Sequence, residues 1–235
     1  IRDLIRSRGL GDVFKRQMLN HAEQEGSRIS VNAWGLNGNY GAYTGDSRSV
    51  DVFVKDNSDF LPVFSAGDDP SQNASKVMAP STGKNVLSIG ASTTNPSGGV
   101  ANFSSLGPSL DGRVKPDLVA PGVDICSGRA QEAAIPTGSN CGSGQHANGN
   151  GLYMSLTGAS QATAVAGGSI SLIREFIREE VGIVKPSASL LKGAAINGAI
   201  DLGAPDIPNS EEGWGQISVA NTVMPVSYTH LTLPT

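Results

Sequence analysis

The sequence predicts an α/β fold of three layers around a mostly parallel sheet. Three observations favour this class. Short apolar runs alternate with amphipathic segments, turn residues bound each run, and one long helical stretch follows the last run. The chain has 235 residues, 38% of them hydrophobic and 16% charged, which suffices for one globular domain with a sizeable core.

The elements follow one another along the chain as short strands and helices. MLNHAEQEGS at 18–27 predicts the end of a helix, with Gly26 as its capping glycine. RISVNAWG at 28–35 predicts the first strand, and apolar residues spaced among charges at 46–57 predict a helix. The remaining predictions are strands at 60–67, 84–92 and 115–122, a polar glycine-rich loop at 126–151, helices at 161–182 and 187–197, and a closing Gly-Trp-Gly turn at 213–215.

The charge and hydropathy of the chain argue against two classes of partner. The net charge is −4 and no run of lysine or arginine stands out, which argues against nucleic acid and against an acidic membrane surface. No apolar stretch approaches the ~20 residues that cross a bilayer. We therefore expect neither nucleic acid nor a membrane as a partner. We also expect a monomer.

The two cysteines, Cys126 and Cys141, both lie in the predicted polar loop. A disulfide between them would indicate an oxidising compartment. Two free cysteines are equally compatible with the spacing, so the sequence leaves both alternatives open.

Both ends of the chain resemble translated DNA of technical origin. VSYTHLTLPT at 226–235 and SRGLGDVFKRQ at 7–17 back-translate into an inverted repeat with Phe14 as the one departure, and both resemble adapters of transposase-based sequencing libraries. We therefore expect residues 1–17 and 226–235 to be non-native, and residues 18–225 to be an internal piece of a longer protein. The alternative is a genuine amphipathic helix at the N-terminus.

Three stretches end a predicted strand with small residues, namely AWGLNG, FSAGDD and LTGAS. The carboxyl ends of parallel strands meet at one edge of the sheet, where the active sites of open α/β folds collect. Gly35, Gly67 and Gly158 would let a ligand approach the backbone there. A tight turn explains any one of them alone, but three together favour a site.

Several motifs then resemble one enzyme family. G-A-S-Q-A-T-A at 158–164 looks like G-T-S-M-A-T-P, the segment around the nucleophile of the subtilisin-like serine proteases (subtilases, peptidase family S8). Other segments follow in the family's order over nearly all of residues 18–225, namely VNAWG, VFSAGD, APSTGKNVLSIGAS, NFSSLGP, GRVKPDLVAPG, PSASLLKGAAINGA and GWGQISV. The similarity is greatest to large secreted bacterial members with an added β domain. It implies a subtilisin-like fold whose N-terminal half is missing here.

The resemblance implies that Ser160 is the nucleophile of an endopeptidase that forms an acyl-enzyme. Such a hydroxyl needs a base to take its proton and donors to receive the oxyanion charge. In the family the triad Asp and His precede the Ser, so we expect them before residue 18 and expect the chain alone to be inactive. His21, His146 and His230 are not expected to serve as the base. The alternative for Ser160 is a helix N-cap or a small packing residue.

Asp68 stands where most of the family has the asparagine amide of the oxyanion hole. An ionised carboxylate only accepts hydrogen bonds, whereas a protonated one can donate. The resemblance implies that a minority of active members carry Asp here. Our hypothesis is therefore an oxyanion hole made by a backbone N–H and a protonated carboxyl.

The resemblance also implies how a polypeptide substrate binds. The ring of Trp34 is expected to pack as a core aromatic even where its backbone binds the peptide. The implied substrate-binding residues are Ala33, Trp34 and Gly35 beside the peptide, Ser65, Ala66 and Gly67 along the first specificity pocket, and Gly158 next to the nucleophile.

The resemblance implies secretion and no cofactor for the chemistry. It also makes structural calcium an expectation, although no acidic cluster in the sequence marks a metal site. Two other functions stay open. A non-catalytic subtilase-like binding module is motivated by Asp68 and by the absent Asp and His. A nucleotide-binding α/β domain is disfavoured because both the dinucleotide-binding glycine fingerprint and a Walker loop are missing.

Overall fold

The computed structural model describes residues 10–69, 76–95, 98–130, 141, 153–203 and 206–224. Strands β1 to β4 form one parallel sheet in the order β1-β2-β3-β4, and β5 and β6 form a separate antiparallel ribbon. The predicted α/β class with a parallel sheet is confirmed. The elements are α1 (Leu10–Gln24), β1 (Ile29–Asn32), α2 (Gly45–Asp56), β2 (Leu61–Ser65), β3 (Leu87–Ser92), β4 (Leu118–Pro121), β5 (Ile125–Gly128), β6 (Tyr153–Leu156), α3 (Ala159–Glu179), α4 (Ala188–Asn197) and α5 (Val219–Val223).

The centre of the sheet is also the centre of the core. Every residue of β2 and β3 is buried, as their continuous apolar runs predict for strands covered on both faces. Phe53 of α2 meets Phe60, just before β2, edge to face with ring centroids 5.1 Å apart. This pair anchors α2 against the start of β2.

Helix α3 crosses the sheet and contacts all four of its strands. Its buried residues recur every three or four positions, which places one apolar face on the sheet. Gly167 lies where α3 crosses β1, and a Cβ added there would overlap Cγ2 of Val31. The close crossing therefore depends on a residue without a side chain.

Side-chain caps fix the starts of two helices near their predicted positions. The hydroxyl of Thr44 accepts a hydrogen bond from the amide of Ser47 at the start of α2. The hydroxyl of Ser187 accepts from the amide of Leu190 at 3.1 Å at the start of α4. Each cap satisfies an amide that the helix itself leaves without a partner.

A buried ion cluster joins β4 to β3 and α4. The carboxylate of Asp117, just before β4, accepts hydrogen bonds at 2.8 Å from the ammonium groups of Lys115 and Lys192 and from the amide of Ser88. Burial lowers the pKa of Lys115 to about 8, although Asp117 opposes this shift. Burial works to raise the pKa of Asp117, but the two lysines outweigh it and hold the pKa of that carboxyl below its usual range.

The Gly-Trp-Gly segment closes the sheet beside β4. The amide of Trp214 donates to the carbonyl of Asp117, and the amide of Val119 donates to the carbonyl of Gly215, at 2.9 and 3.0 Å. Gly213 has φ +66°, and a Cβ there would overlap the carbonyl oxygen of Pro116. The tight passage explains why glycine stands at this position.

Several predicted boundaries differ from the observed ones. Helix α1 begins at Leu10 and so extends further towards the N-terminus than the predicted helix end at 18–27, because the segment before Met18 contains no proline to stop it. The observed strands β1 to β4 are shorter than the predicted ones at one or both ends. Helix α3 runs from Ala159 to Glu179 instead of 161–182, since Gly158 leaves the helix at one end and Gly182 has φ +81° beyond the other.

The predicted loop at 126–151 is wrong at its start. Residues 126–128 belong to β5, which pairs with β6 in register Cys126↔Ser155. Both strands are short and mostly exposed, so they carry no apolar pattern that separates them from a polar loop. Cys126 and Cys141 form a disulfide with their Cα atoms 5.2 Å apart. Most of the predicted loop lies outside the described residues.

Helix α5 was not predicted, because it is short and follows turn-rich sequence. Strand β6 ends at Leu156, where the stretch LTGAS was expected to end a strand, but its start was not predicted. Among the described helices, none combines the length and the apolar character that a membrane crossing requires.

Candidate active site

The first turn of α3 lies against the segment that follows β1. Ser160 is the second residue of α3 and is partly buried. Its hydroxyl Oγ donates a hydrogen bond to the carbonyl oxygen of Ala33 at 3.2 Å. This contact joins two positions that lie 127 residues apart in the chain.

The segment that follows β2 reaches the same helix start. The amide of Ala159 donates to carboxylate oxygen Oδ1 of Asp68 at 2.6 Å. A Cβ added at Gly158 would lie 3.4 Å from Oδ2 of Asp68 and 2.7 Å from Oε1 of Gln161. The structure therefore brings together the stretches AWGLNG, FSAGDD and LTGAS.

The amide of Ser160 is placed to receive a ligand, as far as the described residues go. The amides of Gln161 and Ala162 donate to the carbonyl of Gly158, and that of Ala159 is taken by Asp68. Within the described residues, the amide of Ser160 meets no acceptor. An unpaired N–H in the first turn of a 21-residue helix carries partial positive charge and favours an anion.

A comparison of the sequence with protein families identifies the family of the chain. The sequence profile of the subtilase family, Peptidase_S8, matches residues 4–215. The chain belongs to the subtilase family. The match covers the motifs around Ser160 and Asp68 together with the Gly-Trp-Gly segment.

Other subtilases and related proteins are similar to the chain over part of their length. The Dictyostelium discoideum serine protease/ABC transporter B family protein tagB is 26% identical over 266 residues, covering 78% of this chain and 14% of that protein. The minor extracellular protease Vpr of Bacillus subtilis is 32% identical over 130 residues, covering 53% of this chain and 14% of Vpr.

A solved structure supports the fold. Fervidolysin from Fervidobacterium pennivorans, a keratinolytic enzyme related to subtilisin, has a TM-score of 0.67 at 21% identity, over 94% of this chain and 30% of that one. At this identity the likeness shows the fold alone. The chain spans less than a third of each of these three proteins.

The residues expected to bind the peptide lie around Ser160 in this subtilase. Ala33 is exposed, while the ring of Trp34 packs edge to face on Phe64 with centroids 5.3 Å apart, as expected of a core aromatic. Residues 65–67 are buried, and the amide of Ser105 donates to the carbonyl of Gly67 at 2.9 Å. Their roles towards a substrate stay predictions.

Sequence reasoning missed two residues that shape this region. Ser105 accepts a hydrogen bond from the amide of Asp69 at 3.0 Å and so holds the segment after β2. Met78 contacts two of the predicted site glycines: a Cβ added at Gly35 would lie 2.7 Å from Cβ of Met78, and one at Gly67 would lie 2.8 Å from its Cε. The paired serines of NFSSLGP were a signal for Ser105, but no motif pointed to Met78.

The described residues supply no base for Ser160. His21 is exposed on α1, and His146 and His230 lie outside the described residues. The hydroxyl of Ser160 has the carbonyl of Ala33 as its hydrogen-bond partner among the residues that the structure describes. The same part of the chain contains no group of three or more His, Cys, Asp or Glu side chains suited to a metal ion. The expected structural calcium stays a prediction.

Proposed function

We propose that this chain is part of the catalytic domain of a secreted serine endopeptidase in which Ser160 is the nucleophile. The observation that carries the proposal is the position of Ser160, whose amide has no acceptor among the described residues and whose hydroxyl reaches the backbone of Ala33 at 3.2 Å. A hydroxyl and a free helix N–H on one residue can serve both attack and oxyanion binding.

The chemistry follows from these groups. The Oγ of Ser160 bonds to the scissile carbonyl carbon while a base takes its proton, and the new oxyanion accepts from the Ser160 amide. The carbon–nitrogen bond then breaks and the base returns the proton to the leaving amine. Water hydrolyses the remaining ester. We propose that the base and its aspartate come from segments outside this chain, so that the chain alone does not turn over substrate.

Two observations support secretion. Vpr, which is similar to about half of the chain, is named as an extracellular protease. Cys126 and Cys141 form a disulfide, and disulfides persist mainly in oxidising compartments. We propose a polypeptide substrate, a monomeric enzyme and no cofactor for the chemistry.

A second candidate function rests on Asp68. Its carboxylate accepts from the Ala159 amide, whereas an oxyanion hole needs a donor at that place. If the carboxylate keeps its charge, it repels the oxyanion. The domain would then bind peptides without cleaving them.

Hydrolysis of a peptide ester tests the proposal. We expect turnover from the complete protease that contains this sequence, and none from the 235-residue chain alone. Ser160→Ala should lower kcat of the complete protease by about 10⁴-fold or more, because the nucleophile is lost.

Ser171→Ala is the matched control. Ser171 is an exposed serine on the same helix whose hydroxyl donates to the carbonyl of Gly167, and its loss should leave kcat unchanged. Turnover by the chain alone that disappears with Ser160→Ala would contradict the proposed incompleteness. Peptide binding by the complete protein without any turnover would favour the binding module.

A further inference from the structure

The backbone of Met78 and Ala79 lies between the residues that follow β1 and those that follow β2. The amide of Met78 donates to the carbonyl of Ala66, and the amide of Leu36 donates to the carbonyl of Ala79, both at 2.9 Å. The segment is therefore held from both sides. Its position fixes where the side chain of Met78 begins.

The side chain of Met78 fills the space between two glycines. A Cβ added at Gly35 would lie 2.7 Å from Cβ, 2.9 Å from Cε and 3.2 Å from Sδ of Met78. A Cβ added at Gly67 would lie 2.8 Å from Cε and 3.1 Å from Cγ of the same side chain. These distances are shorter than ordinary van der Waals contact, so Met78 packs directly on the backbone of both glycines.

The two glycines belong to the two stretches between which a substrate side chain is expected to enter. Gly35 ends the stretch proposed to pair with the peptide, and Gly67 lies on the proposed pocket wall. Both stretches also reach the start of α3, since the carbonyl of Ala33 accepts from the hydroxyl of Ser160 and the carboxylate of Asp68 accepts from the amide of Ala159. The space that the thioether occupies is therefore space that the substrate side chain before the scissile bond would need.

We infer that Met78 fills the first specificity pocket and restricts this protease to peptide bonds that follow small residues such as alanine. The inference rests on the proposed function. Gly35 and Gly67 then make room for Met78 instead of for a large substrate side chain. Methionine is flexible, but a held backbone at Met78 leaves only its outer atoms free to move.

Two peptide p-nitroanilides that differ only in alanine or phenylalanine before the scissile bond test the inference on the complete protease. We expect kcat/KM to favour alanine by about tenfold or more, since a few methylenes in a pocket discriminate by that order. Met78→Gly should shift the ratio of kcat/KM towards phenylalanine by about tenfold or more. Titration of Ser160 with an irreversible inhibitor counts the active molecules of each variant.

Two further variants serve as controls. Met78→Leu keeps the volume of the side chain and should keep the preference for alanine. Met224→Ala removes an exposed methionine of 66% relative exposure and should leave the ratio unchanged. If Met78→Gly does not fold, Met78→Ala removes the thioether, keeps Cβ, and is judged by the same ratio.

A stability measurement tests the packing without any turnover. Gly35→Ala should lower the midpoint of thermal unfolding of the chain, because the new Cβ overlaps Met78. The loss should be smaller in the Met78→Gly background, where that contact is gone. Equal losses in both backgrounds would contradict the proposed packing.

The outcomes separate the inference from the proposed function. Equal cleavage after alanine and phenylalanine, unchanged by Met78→Gly, would overturn the inference and leave the proposed function intact. No cleavage of either substrate by the complete wild-type protease would overturn the proposed function itself, and the inference with it.

Discussion

At the scale of one residue, the carboxylate of Asp68 differs from an asparagine amide in the hydrogen bonds that it can donate. Its Oδ1 accepts from the Ala159 amide at 2.6 Å. The resemblance of FSAGDD to the family motif implies an asparagine at this place in most members. An asparagine could accept from the same amide with its carbonyl oxygen and still present an N–H₂ donor to the oxyanion. The carboxylate must bind a proton before it can donate.

Asp68→Asn in the complete protease should therefore leave kcat/KM unchanged or raise it. A gain would follow because the amide donates without needing a proton. Removing an oxyanion donor costs about 10²–10³ in kcat, which sets the scale of the largest gain. Steady-state hydrolysis of a peptide ester by the two proteins measures it.

Asp69→Asn is the neighbouring control for this prediction. Asp69 pairs with Lys76 at 3.5 Å, a partly exposed pair of small energetic value, so its loss should leave kcat/KM unchanged. A hundredfold fall in kcat/KM with Asp68→Asn, but not with Asp69→Asn, would contradict the hypothesis that an amide at this position stabilises the oxyanion at least as well as the carboxyl group.

Single residues of the site were predictable where a local motif carries them. Ser160 and Asp68 each stand inside a short segment with a family pattern, and the structure brings both segments to the start of α3. Met78 was not predictable in this way. Its position beside the candidate site follows from contacts with Gly35 and Gly67, which belong to two other segments of the chain, and no local pattern encodes such a contact.

At the scale of the element, helix α3 determines where Ser160 lies relative to the sheet. The helix contacts β1 through Gly167, where a Cβ would overlap Val31. The next residue, Gly168, is exposed and has nothing within 4 Å of an added Cβ. Alanine substitutions at Gly167 and Gly168 therefore differ only in whether the new Cβ meets a neighbouring side chain.

Gly167→Ala should lower the free energy of unfolding by about 1–2 kcal/mol, because overpacking costs more than alanine's helix propensity returns. Gly168→Ala should raise it by about 0.5–1 kcal/mol, since alanine there only restricts the unfolded chain and favours the helix. Urea unfolding of both variants measures the difference. Equal shifts of the same sign would contradict the close crossing of α3 and β1.

Elements were predictable in proportion to their length and burial. The fully buried strands β2 and β3 and the 21-residue helix α3 carry strong patterns, and their positions were found to within a few residues. The four-residue strand β5 was not found, and of β6 only its end at LTGAS was expected, because exposed strands lack an apolar pattern and their pairing joins residues about 30 positions apart.

At the scale of the whole molecule, the ion cluster of Asp117 holds separate parts of the chain together. Its carboxylate is bonded by Lys115 beside it, by Lys192 on α4 and by the amide of Ser88 on β3. A buried charge that loses its partner is costly, so the cluster resists the removal of any one member.

Asp117→Asn should lower the free energy of unfolding at pH 7 by about 3–5 kcal/mol, because two lysines lose their buried counter-charge. Asp111→Asn is the control: it breaks an exposed pair with Arg113 and should cost about 1 kcal/mol or less. Chemical denaturation of the three proteins compares them. A loss with Asp117→Asn no larger than that of the control would contradict the energetic role of the cluster.

The contribution of Asp117 should also depend on pH. The lysines hold the pKa of its carboxyl below the ordinary value of 3.8, so the folded state binds the proton less readily than the unfolded chain. This stabilisation is complete above the unfolded pKa and is lost as pH falls through the folded pKa. The difference in unfolding free energy between the wild type and Asp117→Asn should therefore shrink as pH falls below about 4. A difference that stays constant down to pH 2 would contradict this linkage.

The central claim is that Ser160 is the nucleophile of a site that this chain does not complete. Labelling with a fluorophosphonate, which reacts with activated serines, followed by peptide mapping tests it most directly. We expect the complete protease to carry the label on Ser160, and the 235-residue chain alone to carry none. A label on another residue of the complete protease, or on Ser160 of the chain alone, would contradict the claim.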